Sequence, residues 1–427
     1  MNITTYENYV KILHNELVPA LGCTEPIAIA YASAKAVEIL GDFPEKIEMC
    51  CSGNIVKNVK GVTVPNSGGL RGIEAAAILG AVGGDAKREL EVLEDITIEQ
   101  IERTKALMSQ GFCTCRLQED VENLYIVAKV IKNDEYAEVT IINRHTLITK
   151  IEKNGEVLFS HKASSSSPDY ADKSLLNISD ILTFANEVEI NDIRDVIQHQ
   201  IDMNCAISRE GMENSYGAQV GKTLIETYGS DIKTRARAYA AAGSDARMGG
   251  CSLPVVINSG SGNQGMTVSI PVVEYAREMN VSEDKMFRAL VLSNLVAIHQ
   301  KRFIGSLSAY CGAVSAACGA GAGITYLHNG TEEQIGLTII NTIGNVGGII
   351  CDGAKSSCAA KISSSVEAAI LAHHMSIKDN SFKSGEGIIQ ENLEETIKSI
   401  GYIGRVGMKT TDVEILNIML NKTDINN

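Results

Sequence analysis

Small residues dominate the second half of the chain, and they constrain its fold more than any other feature. Alanine, glycine and serine recur through helix-like segments from about residue 178 onward, as in "SAYCGAVSAACGAGAGITYLHNG" at 308–330. Side chains this small let helix backbones approach one another, and glycine also lets the backbone approach a ligand. The pattern therefore predicts a large, close-packed, all-helical region.

The residues before this region follow other periodicities. Residues 112–160 alternate or are β-branched, with turn-forming "NDE" and "KNGE" between the runs, which is typical of a small antiparallel sheet. The segment 46–69 predicts a strand, a turn, a second strand and a glycine-rich loop. Helices are predicted over most of residues 1–40, in "GIEAAAILGAVGG" and in "TIEQIERTKALMSQG".

These patterns together predict the α+β class, with a large all-α C-terminal part and a smaller sheet-containing N-terminal and middle part. We assign residues 1–110 to a helical and loop part, 111–165 to the sheet region and 175–427 to the all-α domain. The polar segment "KASSSSPDYADKS" at 162–174 is the clearest linker.

Charge and hydropathy exclude two classes of partner. The net charge is −14 and no basic block occurs, so nucleic acid is not expected to bind. No run of 18 apolar residues occurs, and the polar first twenty residues lack the apolar core of a signal peptide. We therefore expect a cytoplasmic protein whose 11 cysteines are reduced. The oligomeric state stays open, with a homodimer among the alternatives.

Four cysteines lie within small-residue segments. Cys311 and Cys318 form one pair and Cys351 and Cys358 another, each seven residues apart, which is one face of a helix. Zinc ribbons use a C-x2-C spacing, so zinc is not favoured. Spacing alone favours four buried core residues, because free cysteine is among the most buried residue types. The surrounding glycine and serine instead favour an iron–sulfur site, which needs room and backbone N–H groups.

Cys23 in "LGCTEPIAIA" falls just before a predicted helix, with Thr24 and Pro26 as helix-start signals. A thiol at a helix N-terminus has a lowered pKa and reacts more readily as a thiolate. An ordinary buried turn cysteine explains the residue equally well at this point.

Three loops rich in glycine, serine and asparagine offer backbone N–H groups to a carboxylate or phosphate: "VPNSGGLRG" (64–72), "GSDARMGG" (243–250) and "NSGSGNQG" (258–265). One such loop is often only a tight turn, but three of them beside the cysteines indicate a small anionic substrate. Lys233, followed by the last of these loops, also resembles the lysine and asparagine loop of pyridoxal-phosphate β-eliminases. Lys233 lies within a predicted helix, however, and is better explained as part of a solvated face.

The motifs "PALGCTEPIAIA", "PNSGG", "SGSGNQG", "CGAVSAACGAGAG" and "ICDGAKSSCAAKI" together resemble those of the L-cysteine desulfidases. That family is related to the catalytic α domain of bacterial iron–sulfur L-serine dehydratases, and the resemblance spans nearly the whole chain. It implies a [4Fe–4S] cluster, no pyridoxal phosphate, and conversion of L-cysteine into pyruvate, hydrogen sulfide and ammonia by Lewis-acid-assisted β-elimination.

The resemblance also assigns residues. It makes Cys311, Cys351 and Cys358 the cluster ligands, leaves Cys318 structural, and makes Cys23 either the remaining ligand or the catalytic base. The substrate carboxylate and ammonium would be held by loop residues, namely Asn66, Ser67, Gly68, Asn263 and Gln264. L-Serine dehydration by the same cluster is the alternative reaction. A non-catalytic iron–sulfur sensor is a further alternative, but it would leave the three loops unexplained.

Overall fold

The structure confirms the α+β class. The computed structural model describes residues 1–161, 171–305 and 307–422, so most of the predicted linker lies outside the described residues. Its helices are α1 Ile3–Glu16, α2 Thr24–Leu40, α3 Gly53–Lys60, α4 Ile73–Gly83, α5 Ile98–Ser109, α6 Ile178–Glu187, α7 Ile190–Glu213, α8 Val220–Tyr228, α9 Ile232–Met248, α10 Gly262–Glu278, α11 Glu283–Ile304, α12 Gly312–Leu327, α13 Glu332–Val346, α14 Ser357–Ser376, α15 Leu393–Tyr402 and α16 Lys409–Met419. Its strands are β1 Pro19–Leu21, β2 Lys46–Ser52, β3 Cys113–Gln118, β4 Tyr125–Lys132, β5 Glu135–Ile142, β6 Ile148–Lys153, β7 Glu156–Ser160 and β8 Pro254–Val256.

The main sheet is mixed, whereas the sequence predicts a purely antiparallel one. Its strand order is β3-β2-β4-β5-β6-β7, with β2 parallel to β3 and the other neighbours antiparallel. Strand β2 comes from the N-terminal part and lies inside the sheet. A parallel pair needs a long crossover, here α3 to α5, and no local pattern reveals such a pairing.

The predicted second strand within residues 46–69 is wrong, because this segment forms helix α3. Ile55 and Val59 stand four residues apart and are both fully buried, which is the spacing of a helical face. The β-branched residues in this segment have a high intrinsic strand propensity, and that propensity alone predicts a strand. Burial of one face decided the conformation instead.

The predicted close packing of helices is confirmed in the C-terminal part. Helix α12 packs against α10, α11, α13 and α14, and nearly all of its residues are buried. A Cβ added at Gly319 would overlap the backbone carbonyl of Ser293 on α11. Small residues therefore set the distance between these helices. Among the described residues, no helix is both long enough and apolar enough to cross a bilayer.

A two-stranded antiparallel sheet joins the N-terminal part to the C-terminal helical part. Strand β1 pairs with β8, in the register Pro19 with Val256 and Leu21 with Pro254. The loop after β1 therefore lies beside the loop after β8, and Thr24 Oγ1 donates to the carbonyl of Gly260 over 2.9 Å. One hydrophobic core includes residues from all three predicted segments. The division at 1–110, 111–165 and 175–427 stays a prediction.

We expect Gly319→Ala to lower the free energy of unfolding by about 1–3 kcal/mol, because the methyl group must push α12 away from α11. Gly336→Ala in α13 is the matched control, since its Cβ would meet only the end of the Leu393 side chain, at 3.4 Å. That variant should be neutral or gain up to about 1 kcal/mol from helix propensity. Denaturant unfolding measures both, and equal changes would contradict the packing argument.

Candidate active site

Four helices begin at one buried cavity of about 100 Å³. Helices α2, α10, α12 and α14 have the N-cap residues Cys23, Ser261, Cys311 and Ser356. None of these four side chains accepts a hydrogen bond from its own helix. Uncapped N–H groups and the positive ends of the helix dipoles face this region, so it favours an anionic ligand.

Three of the predicted ligand cysteines line this cavity: Cys311, Cys351 and Cys358. Residues forty apart are brought together by a short antiparallel bridge, in which Cys311 N donates to Ile349 O over 3.0 Å and Cys351 N donates to Ala309 O over 2.6 Å. Burial raises the pKa of the Cys311 thiol to about 12, and the Cys351 thiol adds to the effect. Burial also raises the pKa of Cys358.

Cys318, which the sequence analysis leaves as structural, is fully buried in α12 and is not among the lining residues. It lies seven residues beyond Cys311, two turns further into the helix bundle. The two cysteine pairs have the same spacing, but both members of the second pair line the cavity and only Cys311 of the first pair does.

Cys23 lies at the cavity and is the N-cap of α2, so the predicted helix start is confirmed. The expected lowering of its pKa is wrong for this thiol. Burial raises the pKa of Cys23 well above its usual value, and the neighbouring Glu25 carboxylate acts in the same direction. The thiol donates to Glu25 Oε2 over 3.0 Å. Desolvation and a nearby negative charge outweigh the helix N-terminus here.

Three ionisable residues that sequence reasoning did not single out surround this thiol: Glu25, His145 and Arg247. Burial alone would raise the pKa of Glu25, but His145, the Cys23 thiol and Arg247 outweigh it and hold that pKa below its usual value. Burial lowers the pKa of His145. Glu25 and Arg247 do fall inside quoted motifs, whereas His145 lies in a turn with no sequence signal.

Arg247 is itself held in place by glycines. Its Nε donates to the carbonyl of Gly22 over 2.7 Å, and a Cβ at Gly262 would overlap its side chain. The side chain is 2% exposed. Gly262, the first glycine of "SGNQG", therefore makes room for a buried guanidinium, which supplies positive charge beside Glu25.

Several buried polar atoms at the cavity have no hydrogen-bond partner among the residues that the structure describes. They are Asn263 Oδ1, Gln264 Oε1, His145 Nε2 and Tyr310 Oη. Buried polar groups are nearly always paired in folded proteins, so a cluster of unpaired ones marks a place for a ligand. Asn263 and Gln264 are thus at the cavity, as the sequence analysis expects.

The structure does not bring Asn66, Ser67 and Gly68 to the cavity lining. Asn66 Nδ2 donates to the carbonyls of Leu93 and Glu94, and Ser67 Oγ donates to that of Val64 over 2.7 Å. The loop instead supports the Cys23 turn from outside, since a Cβ at Gly22 would overlap the ring of Pro65. The glycine and serine residues of this loop stabilise the turn that the loop itself forms.

A family model described as the serine dehydratase alpha chain matches residues 87–417, which include the three cavity cysteines of the C-terminal part. The chain belongs to the serine dehydratase alpha-chain family. This relationship indicates a lyase of the serine dehydratase type. The matched residues begin after Cys23 and Glu25, so this part of the cavity lining lies outside the family match.

Relatives of similar length align with this chain over nearly all of its residues. A UPF0597 protein of Lachnoclostridium phytofermentans is 53% identical over 416 residues, covering 97% of this chain and 100% of the relative. UPF0597 proteins of Desulfitobacterium hafniense and Finegoldia magna are 49% and 47% identical, over 98% and 97% of this chain and 97% and 100% of theirs. The similarity therefore includes the N-terminal part that the family match omits.

We expect Asn66→Ala to lower the free energy of unfolding by about 1–2 kcal/mol, because two backbone carbonyls lose their donor. The substitution also places alanine at a backbone φ of 53°, which asparagine tolerates better. Asn263→Ala is the control, and its free energy of unfolding should change by less than about 0.5 kcal/mol. Chemical denaturation distinguishes them, and a larger loss in Asn263→Ala would reverse the two roles.

Proposed function

We propose that the protein is an L-cysteine desulfidase, an iron–sulfur-dependent lyase that forms pyruvate, hydrogen sulfide and ammonia from L-cysteine. The observation that carries this proposal is the placing of Cys311, Cys351 and Cys358 around one buried cavity, at which uncapped helix N-termini meet. The family relationship supports lyase chemistry. All eleven cysteines are free, which suits the reducing cytoplasm that we propose as its location.

A [4Fe–4S] cluster is compatible with the residues at the cavity. No three His, Cys, Asp or Glu side chains of the described residues converge as they would on a single metal ion. In a cluster each thiolate binds a different iron, so its ligands stand further apart. Cys311, Cys351 and Cys358 would hold it, and metal binding would deprotonate their thiols despite burial. When bound, it supplies a Lewis-acidic iron for the leaving group.

Proton removal from the substrate Cα falls to the Cys23–Glu25 pair in this proposal. Glu25 is a carboxylate that already accepts the thiol proton in a hydrogen bond. Only the thiolate could take the Cα proton, and Arg247 favours that form against burial and the Glu25 carboxylate, which both raise the pKa of the thiol. Cys23 as the remaining cluster ligand is the alternative role. In either role the thiol must first lose its proton, and Glu25 Oε2 is the acceptor in contact with it.

The amide oxygens of Asn263 and Gln264 are the proposed acceptors for the substrate ammonium group. Both oxygens are buried and have no partner in the described part of the chain, and an ammonium donates three hydrogen bonds. A Cβ at Gly312 would overlap the Gln264 amide, so this glycine keeps the amide at the start of α12, beside Cys311. The substrate's amino end would thus lie next to the proposed cluster ligands.

L-Serine dehydration is the second candidate, because the matching family is described by that reaction. A Lewis acid could activate a hydroxyl as well as a thiol leaving group, and the cavity provides no steric argument between them. The motif around Cys23 favours L-cysteine, and it lies outside the family match.

The direct test is anaerobic. We expect the reconstituted protein to contain about four iron atoms per chain and to release pyruvate and sulfide from L-cysteine. L-Serine is assayed beside it by pyruvate release. Activity on L-serine alone would replace the desulfidase by a dehydratase, and a full cluster with turnover of neither substrate would refute both lyase proposals.

The cysteine roles are separable by alanine substitution. We expect Cys311→Ala, Cys351→Ala and Cys358→Ala each to lose most of the iron and its visible absorption, because each removes a thiolate ligand. Cys318→Ala is the matched control and should keep its iron. Cys23→Ala should keep its iron and lose turnover by about a hundredfold or more as the loss of a base requires.

Two outcomes would change these assignments. Loss of iron from Cys23→Ala would make Cys23 the remaining ligand. Loss of iron from Cys318→Ala, with iron retained in Cys358→Ala, would make Cys318 a cluster ligand in place of Cys358.

A further inference from the structure

A second, larger cavity adjoins the site. It has a volume of about 590 Å³, within the range of ligand pockets, whereas the inner cavity has about 100 Å³. Four residues line both: His145, Ser259, Gly260 and Lys301. The two cavities are thus separated by a single layer of residues, which we call the neck. The inner cavity is small for a cofactor and a whole amino acid, so part of the substrate would lie at the neck.

The outer cavity carries more basic than acidic groups, although the chain as a whole is strongly acidic. Most of these cations already have partners. Arg302 donates to the carbonyls of Lys173, Ser174 and Leu176 over 2.8–3.1 Å. Lys173 Nζ pairs with Glu16 over 2.5 Å. These groups shape the wall and are not available to a ligand.

Lys301 differs from them. It lies in the last turn of α11 at the neck, is 7% exposed, and its Nζ makes no hydrogen bond or ion pair with any residue that the structure describes. Burial lowers the pKa of this lysine, while the nearby thiols Cys351 and Cys311 oppose that effect. A poorly solvated ammonium without a partner is costly, and an anion bound beside it would offset that cost.

We propose that Lys301 binds the α-carboxylate of the amino-acid substrate at the neck, an inference that rests on the proposed function. The β-carbon and its leaving group then extend into the inner cavity toward Cys311 and Cys351. The substrate class is therefore free α-amino acids, and amides, esters and residues within peptides are excluded. A singly charged carboxylate matches a single unpaired ammonium.

Binding of a non-reactive probe tests this without turnover. L-Alanine has the carboxylate but no leaving group, and L-alaninamide lacks the carboxylate. We expect calorimetry on the full chain, anaerobically and both with and without iron, to show at least about tenfold tighter binding of L-alanine. Lys301→Met should abolish this preference, and Lys301→Arg should preserve most of it. Lys87→Met, which removes an exposed lysine outside both cavities, is the charge control.

Kinetics of the iron-loaded enzyme distinguish carboxylate binding by Lys301 from a role of Lys301 as a counter-charge of the cluster. Lys301→Met should raise KM about tenfold or more with a smaller change in kcat and unchanged iron content. Equal L-alanine binding by the wild-type and Lys301→Met proteins, including binding by neither, would overturn the proposal. So would loss of iron with KM unchanged, which would make Lys301 a counter-charge of the cluster. Carboxylate-selective binding without turnover of L-cysteine or L-serine would refute the proposed reaction and leave the site intact.

Discussion

The rest of the structure depends on four uncapped helix N-termini that meet at one buried cavity. Several other helices are capped by side chains, such as α1 by Asn2, α5 by Thr97 and α13 by Thr331, while α3, α4, α7, α8 and α16 are not. At the cavity the cap positions are occupied by thiols and by serines that make no such bond. The exposed N–H groups there need an acceptor, and a bound anion is what the geometry provides for.

Contacts between distant parts of the chain hold this arrangement in place. The β1–β8 pair fixes the Cys23 turn against the loop before α10. Lys57 of α3 is buried, forms an ion pair with Asp412 of α16 and donates to the carbonyl of Cys351 over 3.3 Å. Gly353 fits directly against the Lys57 carbonyl. The N-terminal part and the C-terminal helix therefore position the same loop.

The electrostatics of the site follow from this assembly. The interior of a helical bundle would leave thiols neutral, and burial does raise the pKa of Cys23, Cys311 and Cys358. Arg247 and Lys301 bring buried positive charge to the same cavity. A site of this kind favours an anionic ligand, and binding of the proposed cluster would change the protonation of the thiols.

The sequence by itself determined the α+β class, the small-residue helices and the position of Cys23 at a helix start, because periodicity and cap residues act locally. Its motifs also pointed to side chains that line the cavity, namely Cys23, Cys311, Cys351, Cys358, Asn263 and Gln264, and to the loop 66–68, which does not. Only the tertiary structure decided that β2 lies inside the sheet, that the Asn66 loop supports Gly22, and that Glu25, His145, Arg247 and Lys301 join the cavity. These outcomes depend on contacts between residues far apart in the chain, and no local pattern encodes such contacts.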